Sequence, residues 1–315
     1  MSSTRLDGAL FTRDEVPPLV AALVVHYGDP APTLACLRDL AGVDYPRLHV
    51  LVVDNDPERP LDRKDSSFPP GWEVLVTRKN LGYCRAVNLG TDRALEKGAD
   101  YVLLLNNDLR LGPGFLTPLV EALEADERAG SAGPLILDPE GRIWSAGGVF
   151  RFGPSLTGLR GLGKRPGGRY TKPEYVDYFP GACVLHRAES LRAAGPLDEE
   201  YWMYMEDLDL ALRMRQKGYL ALFVPWSGAV HSPSLSTGGG VSRTRKYLTA
   251  LNSVRFLKKW GTPGLWASFL LFDVLGLPLA FLAWILKGKG PGPGIAKARG
   301  ILDGLRGRKA GEVLP

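Results

Sequence analysis

Glu206-Asp207-Leu208-Asp209 places three carboxylates within four residues, directly after Tyr201-Trp202-Met203-Tyr204-Met205. Beyond them, to about Tyr219, the spacing of Leu208, Ala211, Leu212 and Arg215 predicts an amphipathic helix with the acids in its first turn. There the macrodipole favours negative charge. An acidic helix start alone would explain this. The apolar approach points further: a carboxylate walled by Trp202, Tyr204 and Met205 is partly desolvated, its pKa rises, and it suits general-base work.

Four other segments carry chemistry-bearing residues. Leu103-Leu104-Leu105-Asn106-Asn107-Asp108 ends an apolar run in three oxygen donors, suited to a hard divalent cation shared with substrate phosphates. Asp108 is its one anionic ligand. Val52-Val53-Asp54-Asn55-Asp56 sets carboxylates at a strand end, where Asp54 can accept from a pyrimidine imide or from ribose hydroxyls, or simply form a turn. Lys79 to Gly90 is a Gly-containing loop opening into a helix, whose N-terminus and Arg85 can receive phosphate. It carries neither a Walker A loop nor Gly-x-Gly-x-x-Gly. His231 precedes the Ser/Gly run Ser232 to Gly239, which could fold over a ligand, and an imidazole can complete a metal shell.

These segments need a frame. Leu19–His26, His49–Asp54, Glu73–Thr77 and Tyr101–Leu105 read as strands; Thr33–Leu40, Cys84–Lys97 and Pro118–Ala125 read as helices. The alternation predicts an α/β fold with a mostly parallel sheet flanked by helices. Asp54, Asn80 and Asn106 to Asp108 then lie just past strand ends, where such sheets bind ligands. Gly147 to Tyr170, rich in Gly and Arg, reads as a long mobile loop. Tyr178–His186 and Leu220–Val224 read as later strands, and Thr244–Trp260 as a basic helix. Leu265–Leu286 is apolar and long enough to span a bilayer. Asp273 and Pro278 interrupt it, which favours helices on a membrane surface or against a second copy. The expected divisions are a 1–18 extension, a 19–260 catalytic domain, the 261–287 apolar segment and a basic Gly/Pro-rich tail over 288–315, mobile or lying on an anionic surface.

The composition is that of an ordinary globular chain: 315 residues, 45% hydrophobic, 23% charged. A net charge of +5 suits phosphate-bearing substrates or an anionic membrane and does not call for nucleic acid. Cys36, Cys84 and Cys183 show no metal or disulfide spacing, which fits a reducing cytosol. Residues 1–18 are polar, so no signal peptide is expected. Amides are scarce. Gln216 is the only glutamine, and asparagine stands only at 55, 80, 88, 106, 107 and 252; five of those six fall in the segments above.

Taken in order, the set resembles family 2 glycosyltransferases of the GT-A (Rossmann-like) fold, in particular bacterial rhamnosyltransferase-like enzymes of cell-surface polysaccharide synthesis. The residues that carry it are Val53-Asp54-Asn55, Asn80-Leu81-Gly82 with Asn88-Leu89-Gly90, Leu105-Asn106-Asn107-Asp108, Pro180-Gly181-Ala182-Cys183, Leu197 to Tyr201 with Glu206 to Asp209, and His231. The resemblance implies metal-assisted, inverting transfer from a nucleoside-diphosphate sugar to a glycan or lipid-linked acceptor at the cytosolic membrane face. Asp54 would hold the base, with Asn80 and Gly82 near the nucleotide and Arg85, Asn107, Gly181 and Trp202 as further substrate contacts. Asp108 stands where the family's Asp-x-Asp motif ends and would bind Mg²⁺ or Mn²⁺, with His231 as a further ligand. Asp207 would deprotonate the acceptor, assisted by Glu206, while Asp209 is structural or acceptor-facing. Asn106 departs from the two-aspartate pattern. Two rivals stay open: a nucleotide-sugar pyrophosphorylase, for which His26 to Pro30 lacks a Gly-rich triphosphate loop, and a non-catalytic sugar- or nucleotide-binding module.

Overall fold

The structure is a computed structural model that describes residues 16–313, except 63, 66, 67, 70, 152, 154, 155, 233–241 and 289. The parallel strands β1 (Val20–His26), β2 (Leu48–Asp54), β3 (Glu73–Val76) and β4 (Tyr101–Asn106) form one half of a twisted sheet. Their side chains alternate between two cores. Leu23, Val53, Val102 and Leu104 face α2 (Tyr83–Glu96), while Val24, Val52, Leu103 and Leu105 face α1 (Pro30–Ala41) and α3 (Thr117–Glu124). Burial on both faces is why these strands read as unbroken apolar runs.

The second half is mixed. After β5 (Leu109–Leu111), strand β6 (Ala129–Leu137) is followed by the short β7 (Ile143–Ser145), β8 (Gly148–Phe150), β9 (Thr157–Leu159) and β10 (Glu174–Val176). Then β11 (Cys183–Arg187) inserts antiparallel between β4 and β6, and β12 (Leu220–His231) runs parallel to β6. The long path is β10-β12-β6-β11-β4-β1-β2-β3. Between β11 and β12 lie α4 (Ala188–Ala194), a 3₁₀ turn at Glu199–Tyr201, and the acidic helix α5 (Glu206–Gln216).

Two expectations need correction. The segment expected as a mobile loop, Gly147 to Tyr170, contains the β8–β9 hairpin, bridged to Tyr178, and Phe150 meets Phe256 edge-on. Three-residue strands rich in glycine carry no readable period. The tail expected to be mobile carries α9 (Gly292–Leu305), which packs on α6 (Arg243–Trp260). A Cβ at Gly300 would stand 2.3 Å from the Tyr247 carbonyl oxygen, and one at Gly304 2.8 Å from that of Leu251. Glycines that suggest flexibility in sequence here admit a second helix at close range. On α5 the packed face is Leu208, Leu210 and Met214, with Arg215 exposed.

The apolar segment folds as α7 (Pro263–Phe269), a π-helical stretch Leu270–Leu275 and α8 (Leu277–Leu286), bent by 42°. No single helix among the described residues is long and apolar enough to cross a membrane. A short α10 (Ala310–Val313) ends the described chain.

Candidate active site

The carboxyl ends of β4, β1 and β2 form one edge. Register places His26 beside Asp54 and Val25 beside Asn106. Across β4, Cys183 lies opposite Leu105, and the Asn106 N–H donates to the Ala182 carbonyl at 2.8 Å. Pro180-Gly181-Ala182 therefore runs alongside Asn106-Asn107. The acidic helix start joins it there, because the Gly181 N–H donates to the Asp207 carboxylate.

Asp207 also accepts from the Leu208 N–H at 2.8 Å. Burial raises its pKa to about 6, and these two N–H groups, with its own, hold it from rising further. Glu206 is 5% exposed and its Oε2 has no partner. Burial first, and the Asp207 charge second, push its pKa well above the carboxylate range. Of the two carboxyls, Glu206 is therefore the one that more readily keeps its proton and Asp207 the one that more readily ionises. Tyr83, Phe179, Gly181, Leu197, Leu210 and Met214 line the small cavity of about 20 Å³ beside them, room for about one water. The drying wall is thus not the one expected. Trp202 turns to Gly82 and Gly311, and Tyr204 lies under Arg245. Asp209 is fully buried and paired with Arg213 (2.9 Å), Lys259 (2.8 Å) and the Trp260 indole (2.7 Å), a structural tie between α5 and α6.

The turn leading into α5 is strained. Trp202, Tyr204 and Met205 have φ of 62°, 73° and 75°, left-handed values that cost side-chain-bearing residues energy. Nothing in the sequence near the turn names the group that holds it. The holder is Asn252, whose amide donates to the carbonyls of Tyr201 (2.8 Å), Met203 (2.8 Å) and Tyr204 (3.0 Å). It was the one asparagine outside the chemistry-bearing segments, and amide scarcity was the available signal.

At the end of β2, Asp54 is 2% exposed. Its Oδ2 accepts from the Leu61 N–H at 3.0 Å, and its Oδ1 is buried without a hydrogen-bond partner. Asn55 is the hub of the adjoining loop. It accepts from the Leu81 N–H (2.9 Å) and the Thr77 hydroxyl (3.1 Å), and donates to Asn80 (3.2 Å) and the Gly82 carbonyl (3.4 Å). Asn80 accepts from the Gly82 N–H at 2.8 Å, so its side chain shapes the loop. Gly82 has a φ of 79°, and a Cβ there would stand 2.6 Å from the Trp202 ring. Arg85 is half exposed and paired with Glu199 at 2.8 Å, so that pair would have to open before Arg85 met a phosphate.

Beyond β4, β5 pairs with the end of β12 and sets His231 opposite Leu109. The result is Asp108 Oδ1 3.2 Å from His231 Nε2. The Trp144 ring packs on His231 with centroids 4.2 Å apart. Asn107 donates to the Thr33 hydroxyl at 2.8 Å, and His26 Nδ1 lies 2.8 Å from the same oxygen. Asp108 and His231 present a carboxylate and an imidazole side by side, a donor pair that could hold a divalent cation. No cluster of three His, Cys, Asp or Glu ligands occurs among the described residues, so any remaining ligands would have to come from substrate or water. Residues 233–239 of the Ser/Gly run lie outside the described residues.

This arrangement has relatives. The family model described as glycosyl transferase family 2 matches residues 22–193. N-acetylglucosaminyl-diphospho-decaprenol L-rhamnosyltransferase of Mycobacterium tuberculosis is 31% identical over 213 residues, covering 60% of this chain and 68% of that protein. The mannosyltransferase PcManGT from Pyrobaculum calidifontis, solved with GDP-Man and Mn²⁺, superposes with a TM-score of 0.53 at 15% identity, covering 93% of this chain and 89% of that one. GalNAc-T7, solved with UDP, GalNAc and Mn²⁺, gives a TM-score of 0.56 at 15% identity, with 89% of this chain spanning 59% of that chain. With a mixed sheet of this order, a match over more than half its length and rhamnosyltransferase relatives, the chain belongs to glycosyltransferase family 2 and is a rhamnosyltransferase-like glycosyltransferase of the GT-A fold.

Proposed function

We propose that the protein transfers a sugar, with rhamnose the first candidate, from a nucleoside diphosphate to a hydroxyl of a polysaccharide or lipid-linked glycan, with inversion. One observation carries this reading: a buried Asp207, beside a buried Glu206, lies across Gly181 from the strand end bearing Asp108. Asp207 accepts the acceptor O–H proton. The freed oxygen forms its bond to the anomeric carbon on the face opposite the diphosphate, and the bond from that carbon to the phosphate oxygen breaks, its electron pair leaving with the nucleotide. Glu206, buried and reluctant to ionise, spares Asp207 a second negative charge beside it and so leaves Asp207 the carboxyl that ionises and can take a proton. Asp54 offers a buried oxygen to a nucleobase or ribose donor. Asp108 and His231 would hold the divalent cation, Mg²⁺ or Mn²⁺, which when bound offsets charge on the departing diphosphate.

The relative's lipid-linked acceptor supports a site at the cytoplasmic membrane face. Leu275, Leu279 and Leu286 are more than 70% exposed, while Asp273 is satisfied by Lys297 at 2.7 Å. That leaves an apolar ridge for the interfacial region of a bilayer. Purified protein assayed with a panel of nucleotide sugars, with and without EDTA, tests the donor and metal readings. No turnover with any donor, or full turnover in EDTA, would overturn the corresponding one. Flotation with anionic vesicles tests the surface, and loss of flotation in favour of a homodimer would assign the ridge to a second copy.

A further inference from the structure

We propose that Asn252 is the positioning residue for the base: one side-chain amide, delivered from α6, holds the left-handed turn that aims Asp207 at the acceptor. This rests on Asp207 being the base.

All five carbonyls of the turn are accounted for. Those of Tyr201, Met203 and Tyr204 accept from the Asn252 amide. That of Trp202 accepts from the Cys84 N–H at 3.1 Å, and that of Met205 from the Asp209 N–H at 3.0 Å. Two amide hydrogens thus serve three acceptors, so one is shared. Asn252 is 0% exposed. Arg255 fixes its orientation, approaching the Asn252 side-chain oxygen at 3.5 Å while donating from the same nitrogen to the Glu200 carbonyl. No cap side chain starts α5; its N-cap is Met205 at φ 75°. The direction of the first helical turn, and hence of Glu206 and Asp207, is set by whatever holds residues 201–205. Left unheld, side-chain-bearing residues would leave φ near +70° for ordinary regions. The Cys84 bond also ties this turn to the start of α2, so the base and the Asn80–Gly82 loop are referenced to each other.

Asn252→Ala in the full chain should lower kcat about 100-fold, the scale of a displacement of about 1 Å, and leave the donor KM unchanged. The acid limb of the pH profile should move down towards ordinary carboxylate values as Asp207 becomes wetter. Adding Tyr204→Gly should recover part of the lost rate, because glycine adopts a left-handed φ without being held. Unchanged kcat and acid limb in Asn252→Ala would overturn the proposal. So would a loss that follows the fraction unfolded in thermal melts and is not recovered by Tyr204→Gly. Asp207→Asn run in parallel separates the two readings. Turnover retained there removes the base assignment, whereas turnover lost there and retained in Asn252→Ala removes only the positioning role.

Discussion

Replacing Asp207 with asparagine should lower activity and raise stability together. The structure sets both signs. Burial lifts the Asp207 carboxyl from 3.8 to about 6. A carboxyl with a raised folded-state pKa stabilises the fold fully below its unfolded value, and that contribution is lost as pH climbs through the folded value. The rise corresponds to ~3 kcal/mol, forfeited by the time the pH passes about 7. Asparagine keeps an oxygen for the Leu208 and Gly181 N–H groups and never ionises. In a chain of this size 1 kcal/mol moves Tm by about 2 °C. The Tm advantage of Asp207→Asn should therefore widen by about 5 °C between about pH 4 and about pH 8. Turnover should fall by about 10²- to 10⁴-fold, the usual worth of a general base. Differential scanning fluorimetry across pH, beside a nucleotide-release assay, reads both. A Tm gap independent of pH would refute the dry carboxylate, and unchanged turnover would refute the base.

Three further outcomes follow from the same geometry. Asn55→Ala strips four hydrogen bonds from the 77–82 loop and should cost about 2–4 kcal/mol in urea unfolding, with weaker nucleotide binding by calorimetry. His231→Ala should raise the divalent-ion concentration needed for half-maximal rate, and Asp108→Asn should raise it further because it removes the only charged ligand of the pair; an unaltered Mn²⁺ titration would take the ion elsewhere. Asp209→Asn leaves Arg213 and Lys259 facing a neutral partner and should destabilise by about 3–5 kcal/mol, while the protein that remains folded keeps its kcat.

The parallel half of the sheet was legible because strands buried on both faces announce themselves as apolar runs ending in polar residues. Val20–His26, Leu48–Asp54 and Tyr101–Asn106 fall within a residue or two of the expected bounds. The β6 strand (Ala-Gly-Ser-Ala-Gly-Pro-Leu-Ile-Leu) escaped notice, since glycine and proline mask its pattern. Of the two roles expected for Asp209, structural or acceptor-facing, its contacts favour the first. Asp209 does turn inward, to Arg213, Lys259 and Trp260, though no local signal named those partners, two of them some fifty residues away. Trp202 illustrates the limit. Its nearness to the acids suggested a wall for them, but a positive φ swings it onto Gly82. Nothing in a run of aromatics reports the handedness of their backbone.

The family match ends at residue 193, while Asp207 and the amide that steadies it lie at 207 and 252. Chimeras that exchange the C-terminal part with a relative should therefore be joined before β11 and carry everything through α6 as one block. A graft ending after α5 would import a foreign turn without its clamp. It would bind the nucleotide sugar through the native half and turn over slowly whatever acceptor it was offered.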